Sequence, residues 1–293
     1  MINEQDILKI CNVCKKFKLN NQTEINAVNN VSFAIKQDEI FGLAGESGSG
    51  KSTLAKIIAG MYEATSGDIF FEEKNITAGE LSPKQYAKNI HLIFQNVGAA
   101  LNPKMTVREI ISEPILIHHL CSTKKELNAK IQELLDQTEL NTSLLNFYPD
   151  ELSGGQKQRV NIARCLALNP KLIIADEPIA SLDISIQAQI INLFMELQKE
   201  HHFSMLFIAH DLLLLRFISN RIGVMYKGHL IELAETEELF TNPKHNYTKS
   251  LLSAISTTDP LLERQKKIYT FHNSDFNFPG TWTNVNHNHF VLK

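Results

Sequence analysis

Residues 40–53 read Ile40-Phe41-Gly42-Leu43-Ala44-Gly45-Glu46-Ser47-Gly48-Ser49-Gly50-Lys51-Ser52-Thr53. Residues 40–44 are a short apolar run of strand length that stops at a glycine, and residues 53–60 begin an amphipathic helix that stops at another. Between them, residues 45–52 fit G-x-x-x-x-G-K-[ST]. The glycines let the backbone wrap an anion with its N–H groups, Lys51 reaches the outer phosphate oxygens, and Ser52 is placed for Mg²⁺. Strand, anion-binding loop and helix in that order predict an α/β fold with a parallel sheet.

Working outward, residues 172–175 are an apolar strand that ends in Asp176-Glu177. In a parallel sheet the carboxyl ends of the strands share one edge, so both acids are expected beside the phosphate loop. Asp176 is expected to hold the Mg²⁺ shell, and Glu177 to orient and deprotonate an attacking water. Residues 206–209 form a second buried strand, which brings His210 to the same edge. Residues 90–94 are a further apolar strand followed by Gln95, which by itself is an unremarkable residue at a strand end.

A second anion-directed feature lies at residues 152–159, Leu152-Ser153-Gly154-Gly155-Gln156-Lys157-Gln158-Arg159. The Ser-Gly-Gly opens a helix whose apolar face is Val160, Ala163, Leu166 and Ala167, and a helix start leaves free N–H groups and a positive dipole end. This is half of an anion site. It lacks the phosphate-binding lysine and the Mg²⁺ partners that a complete nucleotide site needs, so something else must hold its phosphate.

Composition narrows the class. The chain has 293 residues, 43% of them hydrophobic, enough for one large α/β domain with an inserted or appended part. A net charge of −3 supplies no basic field, which argues against nucleic acid as a partner. The apolar stretch 204–218 is broken by His210, Asp211 and Arg216, so no span of about 20 apolar residues is present, and the first residues are acidic and polar rather than a signal peptide. A cytoplasmic location is expected. The four cysteines are too sparse for a disulfide framework; Cys11 and Cys14 lack a second ligand pair for zinc and read as ordinary thiols. The histidine pairs His118-His119 and His201-His202 likewise lack ligand spacing.

Residues 7–40 are strand-like with turn signals at Asn20-Asn21 and Asn29-Asn30, predicting an antiparallel β region ahead of the loop. Residues 97–167 are predominantly helical and punctuated by Pro103, Pro114 and Pro149, which predicts a helical insertion. Strands are expected at 171–175, 204–209 and 229–232, and helices at 184–200, from 237 and at 247–255. Residues 256–293 show no period, but Phe276, Phe278, Trp282 and Phe290 are apolar anchors suited to docking or capping.

Taken in order, these motifs resemble those of ATP-binding cassette ATPases over residues 17–210. A closer similarity, to the oligopeptide and dipeptide permease ATPases, rests on Gly45-Glu46-Ser47-Gly48, on Leu101-Asn102-Pro103-Lys104-Met105-Thr106-Val107, on Asp183-Ile184-Ser185-Ile186-Gln187-Ala188-Gln189, and on the segment from Asn246-Tyr247-Thr248 to Ile255. The resemblance implies a P-loop NTPase with a RecA-like α/β core, an antiparallel β subdomain and an inserted α-helical subdomain. It divides the chain into a nucleotide-binding domain, 1–255, with the helical part at about 97–167, and a C-terminal extension, 256–293.

The resemblance also implies roles. ATP and Mg²⁺ are the cofactors. ATP would meet Gly45, Glu46, Ser47, Gly48, Ser49, Gly50, Lys51, Ser52 and Thr53, with Phe17 stacking on adenine. Ser153, Gly154, Gly155, Gln156 and Asp183 would act on the nucleotide of a second cassette. Glu177, His210, Gln95 and Lys51 would be catalytic, and Ser52, Gln95 and Asp176 would hold the metal. The implied partners are a second, non-identical ATPase, two integral membrane permease subunits at the cytoplasmic face of the cell membrane and, indirectly, a peptide-binding protein, with ATP hydrolysis driving peptide import. Ser49 stands where many relatives have cysteine and Asp38-Glu39 where Gly-Glu is usual. No cysteine follows Cys165, so no iron–sulfur cluster is expected in the tail, and the ending His289-Phe290-Val291-Leu292 resembles that of the second, cluster-free ATPase of these permeases. An importer of nickel or another small solute, or a soluble cassette ATPase, would share this chemistry.

Overall fold

A computed structural model describes residues 6–20, 23–95, 97–255, 269–272, 280–286 and 288–292. The chain opens with two long strands, β1 (Asp6–Asn20) and β2 (Thr23–Lys36), then β3 (Ile40–Ala44), α1 (Lys51–Ile58), β4 (Ser66–Phe71), β5 (Lys74–Asn75), α2 (Pro83–Asn89) and β6 (Ile90–Ile93). Four helices follow, α3 (Val97–Ala100), α4 (Val107–Ile117), α5 (Lys124–Gln137) and α6 (Gly154–Leu166). After them come β7 (Leu172–Asp176), α7 (Ile184–His201), β8 (Ser204–Ile208), α8 (Leu212–Ile218), β9 (Arg221–Tyr226), β10 (His229–Glu235), α9 (Thr236–Thr241), α10 (Asn246–Ser253), β11 (Trp282–Asn286) and β12 (His289–Leu292).

Two sheets result. One is antiparallel, in the order β2-β1-β4-β5; the other runs β11-β12-β10-β9-β3-β8-β7-β6 and is parallel from β9 to β6. β3, β7 and β8 are buried along their whole length, because helices and the first sheet cover both faces, and this makes them continuous apolar runs rather than alternating ones. Their side chains still alternate. Phe41, Leu43, Leu172, Ile174, Leu206 and Ile208 join the core shared with β1, β2 and α1. Ile40, Ala44, Ile173, Ala175, Met205 and Phe207 join the core under the inserted helices.

The expected helical insertion is α3 to α6, between β6 and β7, and the expected antiparallel region is the first sheet. Three features depart from the sequence reading. Asn29-Asn30 does not turn the chain; it lies inside β2, where Asn30, like Asn12 on β1, takes a positive φ beside a shift in the register. Such bulges bend a long strand pair instead of ending it. β4 and β5, which have no clear local period, add to the free side of β1. The aperiodic tail supplies β11 and β12, and β12 pairs with β10 to extend the main sheet. Phe276 and Phe278 lie outside the described residues.

Candidate functional site

Register brings the site together. Leu43 pairs with Ile208, and Ile208 with Asp176, so the carboxyl ends of β3, β8 and β7 form one row; Ile93 pairs with Ala175 one step behind. The residues just past those ends are Gly45, His210, Glu177 and Gln95. Together with Ser47, Gly48, Gly50, Lys51, Ser52 and Thr53 from the loop, the last three line a cavity of about 500 Å³.

Backbone shape decides the loop. Gly45 has φ 146°, and a Cβ there would stand 2.3 Å from the Met225 carbonyl; Gly50 has φ 103°, and its Cβ would stand 2.2 Å from the Ala27 carbonyl. No other residue fits either place without moving backbone. Lys51 is 4% exposed. Its Nζ donates to the carbonyls of Gly45 at 2.7 Å and Glu46 at 2.8 Å and to Ser49 Oγ at 3.2 Å. Burial lowers its pKa, against the pull of Glu177 and Asp176. A buried ammonium held only by neutral oxygens is matched to an incoming anion.

Ser52 Oγ donates to Asp176 Oδ1 at 2.9 Å. Asp176 is 5% exposed, and burial raises its carboxyl pKa despite that bond. Next to it, Glu177 adopts φ 46° and its N–H donates to the Ile208 carbonyl, a left-handed turn that aims the side chain back over the loop. Gln95 Nε2 donates to Glu177 Oε2 at 2.9 Å, and His210 Nδ1 stands 3.6 Å from the same oxygen. Asp211 serves the helix instead, its carboxylate accepting from the N–H groups of Leu213 and Leu214 at the start of α8.

The 153–156 turn is built differently. Ser153 caps α6, accepting from Gln156 N at 3.3 Å, while Gln156 Oε1 accepts from Ser153 N at 2.9 Å. Leu182 and Ile186 roof the two glycines so closely that a Cβ on Gly154 or Gly155 would come within 3.0 and 2.8 Å of them. Ser153, Gly154 and Asp183 are exposed, and Asp183 begins α7 without capping it through its side chain. None of these residues lines the cavity.

Phe17 is placed against Tyr62, with ring centroids 5.5 Å apart and Lys15 Nζ 5.2 Å from its ring. The cavity wall next to it is Ile25, its partner across β1 and β2, followed by Asn26 and Ala27. Lys227, in the turn between β9 and β10, also lines the cavity. Sequence reasoning missed these four.

Residues 28–180 match the family described as ABC transporter. The chain is 51% identical over 244 residues to the oligopeptide transport ATP-binding protein OppF of Bacillus subtilis, covering 83% of this chain and 80% of that protein. It is 46% identical over 272 residues to OppF of Streptococcus mutans, covering 91% and 88%. Among solved structures it resembles a dimeric ATP-binding cassette in a post-hydrolysis state with ADP and Pi, at TM-score 0.70 and 31% identity over 78% of this chain and 98% of that one. It also resembles CbiO1 of Clostridium perfringens, part of an ABC transporter complex, at TM-score 0.71 and 27% identity over 84% and 95%.

Proposed function

The chain belongs to the ABC transporter family of ATP-hydrolysing cassettes, and on that premise we propose that it is the ATPase subunit of an oligopeptide importer. The observation that carries the catalytic reading is the meeting of Gln95 and His210 on Glu177 Oε2 above a buried lysine and a glycine-shaped loop. The peptide class is carried by the relatives named for oligopeptide transport.

Binding comes first. Lys51 exchanges the Gly45 and Glu46 carbonyls for the β- and γ-phosphate oxygens of ATP, and the loop N–H groups and the start of α1 complete the anion shell. Ser52, Asp176 and Gln95 offer hydroxyl, carboxylate and amide oxygens, and a buried carboxyl with a raised pKa calls for a cation; this hard donor set suits Mg²⁺. Held there by Ser52, Asp176 and Gln95, such an ion would supply positive charge to offset the negative charge of the phosphates. Gln95 and His210 hold the Glu177 carboxylate where it accepts a proton from the attacking water. The water oxygen bonds to the γ-phosphorus as the bond to the bridging oxygen breaks, leaving ADP and phosphate.

The Ser153–Gln156 turn, exposed at Ser153 and Gly154, and the exposed Asp183 face a second cassette, a non-identical one, and each nucleotide is closed by the partner's turn. Closure and reopening drive a pair of membrane subunits at the cytoplasmic face of the membrane, fed by a peptide-binding protein. Among the described residues no helix is long and apolar enough to cross a membrane, so the chain reaches the bilayer through those subunits. Purification of the tagged chain from detergent-solubilised membranes, followed by mass spectrometry and reconstitution into vesicles, tests this. Two multi-spanning subunits, a second cassette ATPase and ATP-driven uptake of a labelled oligopeptide are expected. Recovery with ribosomes or nucleic acid, or uptake that ignores ATP, would contradict it.

A further inference from the structure

Among the described residues, the segment after the catalytic core meets the phosphate loop through Tyr247. Tyr247, on α10, is 2% exposed, and its hydroxyl accepts a hydrogen bond from the Glu46 N–H at 3.3 Å. That N–H belongs to the same peptide unit as the Gly45 carbonyl, which accepts from Lys51 Nζ at 2.7 Å. One peptide plane at the head of the loop is therefore clamped from both ends. When Lys51 turns to phosphate its clamp is released, and the tyrosine hydroxyl is what keeps the plane from rotating about the flexible Gly45.

The tyrosine is itself firmly seated. Its ring lies 4.4 Å from that of Tyr226, at the end of β9, and 5.4 Å from that of Phe271; Tyr226 and Phe271 meet edge-on at 5.3 Å. Phe271 comes from beyond residue 255, so the tail walls one side of the seat. The turn that enters α10 is held from the other side. Fully buried Glu232 accepts from the N–H groups of Lys244 at 2.6 Å and His245 at 3.0 Å, and from His289 Nε2, on the last strand, at 2.7 Å. Burial raises the phenol pKa, so the hydroxyl stays protonated and neutral.

We propose that Tyr247 is a positioning residue for ATP binding, fixing the 45–46 peptide so that the phosphate loop is preformed, and that the C-terminal segment supports nucleotide affinity within its own chain through Phe271. This rests on the reading of residues 45–52 as the ATP site. It assigns the tail a role in cis, where its sequence suggests docking or capping.

The test uses the full chain in the assembled transporter. Y247F keeps the ring and removes the acceptor; loss of one such bond predicts a KM for ATP raised about three- to tenfold with kcat within about twofold. The melting temperature without nucleotide should move by less than about 4 °C. F271L keeps the hydroxyl and loosens its seat, so it should raise KM by less than Y247F does. Glu177→Gln is the control for the underlying reading: if it still hydrolyses ATP at the native rate, the site assignment itself fails. If that control is inactive and Y247F binds ATP as the native chain does, the positioning role is wrong. A larger KM effect from F271L than from Y247F would also overturn it, because packing rather than the hydroxyl would then be responsible.

Discussion

Two helix starts in this chain carry glycine-rich turns, Gly50 before α1 and Ser153-Gly154 before α6. At the first, no side chain caps the helix, a lysine is buried on the loop's own carbonyls, and acids from neighbouring strands close the far side. At the second, the helix is capped by its own Ser153 and Gln156, the glycines are packed under Leu182 and Ile186, and no cation or acid faces the turn within the cavity. One turn is shaped to receive an anion inside this chain. The other is finished on its inner side and open on its outer side, and the proposed role in a second cassette's site rests on that difference.

The contrast breaks most sharply at Glu177, which belongs to the first region only. Glu177→Gln keeps the Gln95 contact and the cradle but removes the base, so kcat should fall by about 10²- to 10⁴-fold while ATP affinity changes little. Steady-state hydrolysis and equilibrium nucleotide binding on the same preparation check this, and equal losses in both would erase the division between cradle and base. Gly50→Ala probes the loop's shape. Its Cβ would sit 2.2 Å from the Ala27 carbonyl at a φ of 103°, so strain of about 1–3 kcal/mol is expected. It should register as weaker ATP binding and a lower denaturation midpoint, and unchanged values would mean that backbone strain does not set the cradle.

A smaller effect sharpens the other side of the comparison. His91, on β6, is near Arg164 of α6; its Nε2 is buried without a partner, and burial lowers its pKa to about 4. His229, beside β2, is likewise lowered to about 4 by burial. For each ring the folded pKa lies below the unfolded value of 6.5, so the unfolded chain binds more protons between the two. Stability is then full above pH 6.5 and declines as pH falls toward about 4. His91→Gln should flatten part of that decline in denaturant titrations, the His229 part remaining; an unaltered slope would place His91 outside the linkage.

Much of the first region is legible in the sequence because its chemistry sits at strand ends. β3, β7 and β8 are buried throughout since both faces are covered, and at or just past the end of each lies a residue of the candidate site: Gly45, Asp176 and Glu177, His210. The starts of α4, α5 and α6 are legible through Thr106 with Glu109, Thr123 with Glu126, and Ser153 with Gln156, each a reciprocal cap. What stays hidden depends on distant pairing. β12 is four residues whose partner, β10, lies some 57 positions earlier, as the His289 bond to Glu232 illustrates. Tyr247 meets a loop 201 residues away. Ile25, Asn26, Ala27 and Lys227 reach the cavity through where β2 and the β9–β10 turn pass, not through residue types that announce binding. Phe17 pairs with Ile25 of that wall, and its ring contacts Tyr62 and Lys15.

The most direct test of the central division is Ser153→Arg in the assembled transporter, with nucleotide occupancy of each cassette and total hydrolysis measured together. Ser153 is exposed, caps only its own helix and does not line this chain's cavity. Native ATP affinity is predicted at this chain's own loop, with hydrolysis by the complex reduced at least about tenfold, in line with the loss of a transition-state contact supplied in trans. Weakened binding at this chain's own loop with the partner's site left fully active would contradict that division, and would make the Ser153 turn part of the cradle in cis.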